Sequence, residues 1–120
     1  MNNINTLSPG VLAYMGDAVF EVFVREKLVQ KYTVNLLHKK ALSYVCAKAQ
    51  NQMYFQILEI ATEEELAILK RGRNFNAKVP KSATVTEYRH ATALEALFGY
   101  LFLKGDLDRL TYIFNILYQG

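Results

Sequence analysis

Between Val11 and Val24 the chain reads VLAYMGDAVFEVFV, apolar on nearly every side of a helix, with Asp17 and Glu21 as its only charges. A helix apolar all round is normally buried centrally, so this segment dictates how the rest of the chain must pack. The two acids are spaced i, i+4 and share one side of the helix. A buried carboxylate costs several kcal/mol unless it is paired, hydrogen-bonded or bound to a metal. Gly16, beside Asp17, sacrifices about 1 kcal/mol of helix propensity relative to Ala, which points to another backbone approaching closely there. The pattern recurs downstream: residues 91–103 read ATALEALFGYLFL, where Glu95 is the only charge and Gly99 follows four residues later on the same side.

Two apolar helices thus each offer a carboxylate beside a glycine. From the residues alone two readings stay open: each acid pairs with a basic neighbour, or Asp17 and Glu95 share a cation. Glu21 has Arg25 at i+4 and is expected to form a structural ion pair. Glu95 has only His90 and Arg89 behind it, at i−5 and i−6, poorly placed for pairing. Mg²⁺ suits the second reading, because it takes oxygen ligands, keeps several waters and often uses one or two protein carboxylates plus substrate phosphate.

The remaining segments also read as helices. Ser8-Pro9 is a helix start, Ser capping and Pro occupying the first position, for a helix to about Val29. A second is expected from near Thr33 to about Ile60, with a break around Asn51. Thr62–Glu65 and Thr84–Glu87 are capping boxes. The first opens a helix that carries Leu66 and Leu69 inward and ends in Lys70-Arg71-Gly72-Arg73; the second opens one ending at Lys104-Gly105. Residues 74–83 lack an apolar period and read as a loop. A last helix starts at an Asp106 cap, with Leu110, Ile113, Phe114 and Leu117 at helical spacing. No run alternates at period two, so the expected fold is all-α, one domain over residues 1–120 with residues 1–6 flexible.

The 52% hydrophobic content and only six Gly and two Pro argue against disorder elsewhere. Cys46 is the sole cysteine, which excludes an internal disulfide and a cysteine zinc site; flanked by Val45 and Ala47, it is expected to be a packed core thiol. With two histidines, His38 and His90, there is no normal zinc set and no local signature of serine or cysteine catalysis. His38 is expected at the surface, and His90 at the surface or against RNA. No secretion signal or membrane-length apolar run is legible, so a soluble cytoplasmic protein is expected.

Fourteen basic against eleven acidic residues leave a net charge of +3, compatible with a polyanionic partner but not decisive. More telling is KRGRNFNAKVPK, residues 70–81, which holds Lys70, Arg71, Arg73, Lys78 and Lys81 and no acid. It is either an ordinary solvated loop or a phosphate-contacting element.

LAYMGDAVFE, Leu12–Glu21, resembles the signature helix of the ribonuclease III nucleases, and ATALEALFGYLFL resembles that family's second acidic motif, a glutamate preceding Ala-Leu and a glycine. The intervening RGRN, Arg71–Asn74, and a chain with no room for a separate double-stranded-RNA-binding domain resemble the Mini branch of that family. The resemblance implies an all-helical, homodimeric endoribonuclease that cleaves double-stranded RNA with Mg²⁺ and leaves 5′-phosphate and 3′-hydroxyl ends. It further implies a role in maturing the 5′ and 3′ ends of the large-subunit (23S) ribosomal RNA precursor. Asp17 and Glu95 would be the catalytic, metal-holding residues, one Mg²⁺ per site, and Arg71, Arg73, Lys78 and Lys81 would hold RNA phosphates. Full-length relatives carry two more acids, where this chain has Ala13 and Thr92. That departure keeps open an alternative, a catalytically inactive RNA-binding relative, alongside a helical adaptor with no RNA role.

Overall fold

Four of the helices begin where the sequence supplies a side chain to satisfy free amides. Ser8 Oγ accepts from the Val11 amide at 3.2 Å to open α1, Pro9–Leu28. Thr62 and Glu65 form a reciprocal capping box at the start of α4, Glu63–Arg73, with hydrogen bonds of 2.9 and 3.1 Å. Thr84 and Glu87 do the same for α5, Val85–Lys104. Gly105 ends α5 at φ 87°, a left-handed conformation that Gly adopts without a steric penalty. Asp106 Oδ1 then accepts from the Arg109 amide at the head of α6, Leu107–Gln119. The computed structural model describes residues 3–75 and 84–119; among these a short 3₁₀ turn, Ile4–Thr6, precedes α1.

Between α1 and α4 lie two helices, α2, Val34–Val45, and α3, Ala47–Leu58. The expected break near Asn51 falls instead at Cys46, whose extended backbone, φ −73° and ψ 154°, serves as the C-cap of α2 and the N-cap of α3. No side chain caps this junction, so the sequence carries no signal for it. The same conformation turns the thiol outward: Cys46 is exposed, not a core residue as expected.

The architecture is all-helical, with no strand among the described residues. Helix α5 is the central element and packs on α1, α3, α4 and α6. Phe20 of α1, Phe98 of α5 and Phe114 of α6 meet edge to face at 5.2 and 5.8 Å, an arrangement the ring quadrupoles favour. Leu94, Leu97, Leu101, Leu110, Ile113 and Leu117 are fully buried around them. In α4 the inward face is Glu65, Ile68, Leu69 and Gly72, spaced i, i+3, i+4, i+7. Leu66, expected inside, lies one residue off that face and is 40% exposed. Glu65 is buried, and Arg109 reaches it from α6 with two hydrogen bonds of 2.8 Å while also donating to the Ile60 carbonyl. Among the described residues no helix is long and apolar enough to cross a membrane.

Candidate active site

Gly16 and Gly99 decide how α1 meets α5. A Cβ added to Gly16 would lie 1.6 Å from the Glu95 carbonyl oxygen, and one added to Gly99 would lie 2.0 Å from that of Leu12. Leu12 pairs with Gly99 and Gly16 with Glu95, so the helices run antiparallel with their backbones touching. This is the close approach that the two glycines foretold. Its consequence for chemistry is direct, because Asp17 follows Gly16 and is thereby brought against Glu95.

Burial is the largest influence on Glu95, followed by the charge of Asp17 and a hydrogen bond shared with it; together they push its carboxyl up to about 8. Two carboxyls can share a hydrogen bond only if one keeps its proton, and Glu95, the less exposed of the two, is the one that does. Asp17 itself is exposed, so α1 is not wholly buried as its composition suggests. Glu21 stands apart, its Oε1 accepting from Arg25 Nη2 at 2.7 Å in the expected i, i+4 pair.

Among the described residues no third Asp, Glu, His or Cys joins Asp17 and Glu95 in a metal-holding cluster. Ala13 is buried, and the Thr92 hydroxyl donates to the Tyr88 carbonyl at 2.9 Å, so neither residue supplies a charged ligand. The donor set nonetheless fits a hard divalent cation. Two oxygen-bearing groups forced together repel when both ionise, and a cation between them removes that repulsion.

Sequence reasoning missed a buried polar side chain beside Glu95. Gln50 of α3 is 2% exposed and lies within reach of the Glu95 carboxyl, where it favours the ionised form. Its Nε2 has no hydrogen-bond partner, alone among buried side-chain polar atoms of the described residues. Nothing in the sequence distinguished Gln50 from the other polar residues of α3.

The next residue of α3 accounts for His90. Asn51 Oδ1 accepts from His90 Nδ1 at 2.6 Å, and the imidazole stacks on Tyr54 with centroids 4.0 Å apart. His90 is therefore buried between helices, not a surface or RNA-facing group as expected. Burial, and secondarily the charge of Arg73, hold it below its usual pKa.

Of the basic residues, Arg71 and Arg73 end α4, where Gly72 packs so tightly that an added Cβ would come 2.7 Å from Ala93 Cα. That contact sets the end of α4 alongside α5, two residues from Glu95. Arg71 is half-buried and donates from Nη2 to the Leu7 carbonyl at 2.9 Å, so part of its donor set is committed within the chain. Among the described residues Arg73 makes only a long contact, 3.4 Å, with Asn74 Oδ1. Lys78 and Lys81 lie outside the described residues.

A family model for the ribonuclease III domain matches residues 10–106. The chain is 44% identical over 117 residues to a Mini-ribonuclease 3 of Thermoanaerobacter sp. (strain X514), covering 95% of this chain and 82% of that protein. It is 46% identical over 109 residues to the Mini-ribonuclease 3 of Symbiobacterium thermophilum, covering 88% and 84%, and 42% identical over 120 residues to that of Enterococcus faecalis, covering 96% and 91%. The crystal structure of a Fusobacterium nucleatum protein superposes with a TM-score of 0.91 at 36% identity over the whole of both chains.

Proposed function

Because the chain belongs to the ribonuclease III family and is an endoribonuclease of the Mini-ribonuclease 3 kind, we propose that it cleaves double-stranded RNA with Mg²⁺ at Asp17 and Glu95. The observation that carries this reading is the Gly16–Gly99 crossing, which brings those two acids together and leaves Asp17 open to solvent. Asp17 and Glu95 would hold one Mg²⁺ per site, Glu95 giving up its proton to do so. When bound, the cation offsets charge on the scissile phosphate and eases deprotonation of the attacking water. Half-burial of Glu95 holds its carboxyl in one place, and Asp17 presents the open side on which a phosphate can sit.

Arg71, Arg73, Lys78 and Lys81 would contact RNA phosphates. For Arg73 the support is its place at the end of α4, beside the segment of α5 that carries Glu95, with no acid paired to it among the described residues. Arg71 would contribute only the part of its guanidinium not bound to Leu7.

The working form is a homodimer. On α1, Val11, Tyr14 and Val22 are exposed, Tyr14 at 83%, and fall at helical spacing on the side that carries Asp17 and Ala18. A twofold contact through that stripe would set two sites across one duplex, one per strand. The duplex is the paired stem that brings together the 5′ and 3′ ends of the 23S ribosomal RNA precursor, the cuts leave 5′-phosphate and 3′-hydroxyl ends, and the work is done in the cytoplasm.

Incubation with an end-labelled precursor stem and with an unrelated duplex of equal length, in Mg²⁺ and in EDTA, tests this. The expected result is Mg²⁺-dependent cuts at two fixed positions on opposite strands of the precursor stem, with slower cutting of the unrelated duplex. Cleavage of single strands only, or cleavage unaffected by EDTA, would overturn it.

A further inference from the structure

We propose that Gln50 is a positioning residue for the nuclease reaction: its side-chain amide, buried in α3, holds the Glu95 carboxylate in the orientation that receives the cation. The inference rests on the two-carboxylate reading above. A buried amide donor without an acceptor costs about 1–3 kcal/mol, so a fold does not retain one without a reason. Gln50 Nε2 is such a donor, at 2% exposure. Its own helix fixes where it points. Asn51 is tied to His90 at 2.6 Å, and Tyr54, one turn on, stacks against the same imidazole at 5° between planes. These contacts lock the register of α3 on α5 and leave Gln50 facing Glu95.

Nε2 is a buried donor without an acceptor, and the Glu95 carboxyl lies within its reach. A Glu95 oxygen turned toward α3 would satisfy that amide and leave the other oxygen to the cation. Gln50 is too deeply buried to touch RNA, which confines its influence to Glu95. In a site that has Ala13 and Thr92 where relatives of the family carry acids, a neutral donor behind the remaining glutamate constrains that ligand without adding repulsion.

The test is Gln50→Met, which keeps length and removes the donor, measured with Mn²⁺ as the probe by electron paramagnetic resonance and with melting in EDTA. The expected result is a melting temperature equal to or above wild type together with Mn²⁺ binding weakened by about tenfold or more, since supporting groups behind metal ligands have effects of that size. In cleavage, kcat falls while KM for the duplex stays. In a Glu95→Gln background, Gln50→Met should weaken Mn²⁺ binding no further. Unchanged Mn²⁺ binding in Gln50→Met, or a loss that persists in the Glu95→Gln background, would overturn the role of Gln50. If Gln50→Met unfolds in EDTA, Nε2 is not a donor in waiting and the proposal fails. Asp17→Asn separates the two readings: if it leaves Mn²⁺ binding intact, the two-carboxylate site itself is wrong.

Discussion

Glu95 is the residue on which the proposed chemistry turns, and its environment makes a measurable demand on stability. Unfolded, its carboxyl titrates near 4.5; folded, burial and Asp17 raise it to about 8. The folded state therefore keeps a proton that the unfolded chain has released. That contribution is fully present below about pH 4.5 and is lost as pH rises to about 8, at about 1.4 kcal/mol per unit of pH across the window. Metal-free protein is expected to lose a few kcal/mol between pH 5 and 8, and Glu95→Gln is expected to remove this part of the slope, giving a more stable protein than wild type at pH 8 in EDTA. Parallel melting curves for the two proteins would show that Glu95 is not strained. Cation binding should strengthen over the same window, because binding displaces that proton. That Asp17 and Glu95 come together was legible in the sequence, because a lone charge in an apolar helix needs a reason. Gln50 and His90 were not, since a polar residue on an amphipathic helix looks the same whether it faces solvent or a neighbouring helix. Only the placement of α3 over α5 separates the two cases.

At the scale of the element, the crossing of α1 and α5 is what the sequence encodes most plainly. Gly16 in one apolar helix and Gly99 in the other signal backbone contact. Gly16→Ala would place a methyl inside the van der Waals radius of the Glu95 carbonyl, and the backbone would have to yield. A loss of at least about 1–3 kcal/mol is expected from overpacking. Cleavage should fall further than stability does, because separating the helices separates Asp17 from Glu95. A Gly16→Ala protein that melts and cuts like wild type would disprove the crossing. Helix starts were readable for α1, α4, α5 and α6, where Ser8, Thr62, Thr84 and Asp106 act through side-chain hydrogen bonds. The α2–α3 break was not, because Cys46 caps nothing and the chain changes direction through backbone conformation alone.

Over the whole molecule, the exposed stripe of Val11, Tyr14 and Val22 is a feature a monomer does not explain. The homodimer proposed here would cover it, and Tyr14→Glu would put a charge in the middle of the contact. Sedimentation is expected to show wild type as a dimer and Tyr14→Glu as a monomer with greatly reduced duplex cleavage; a wild-type monomer that cuts both strands would refute the arrangement. All-α architecture followed from the absence of period-two runs, but which face of α1 stays open could not be read, because that helix is apolar on both its inward and outward sides. The net charge of +3 gives the surface a bias toward RNA without locating it. The central claim is that Asp17 and Glu95 perform the cut together, and cleavage of a labelled RNA duplex by wild type, Asp17→Asn and Glu95→Gln, with binding measured in parallel, addresses it most directly. The expected result is Mg²⁺-dependent cutting by wild type alone while both variants still bind the duplex. Either variant cutting at the wild-type rate would contradict the account.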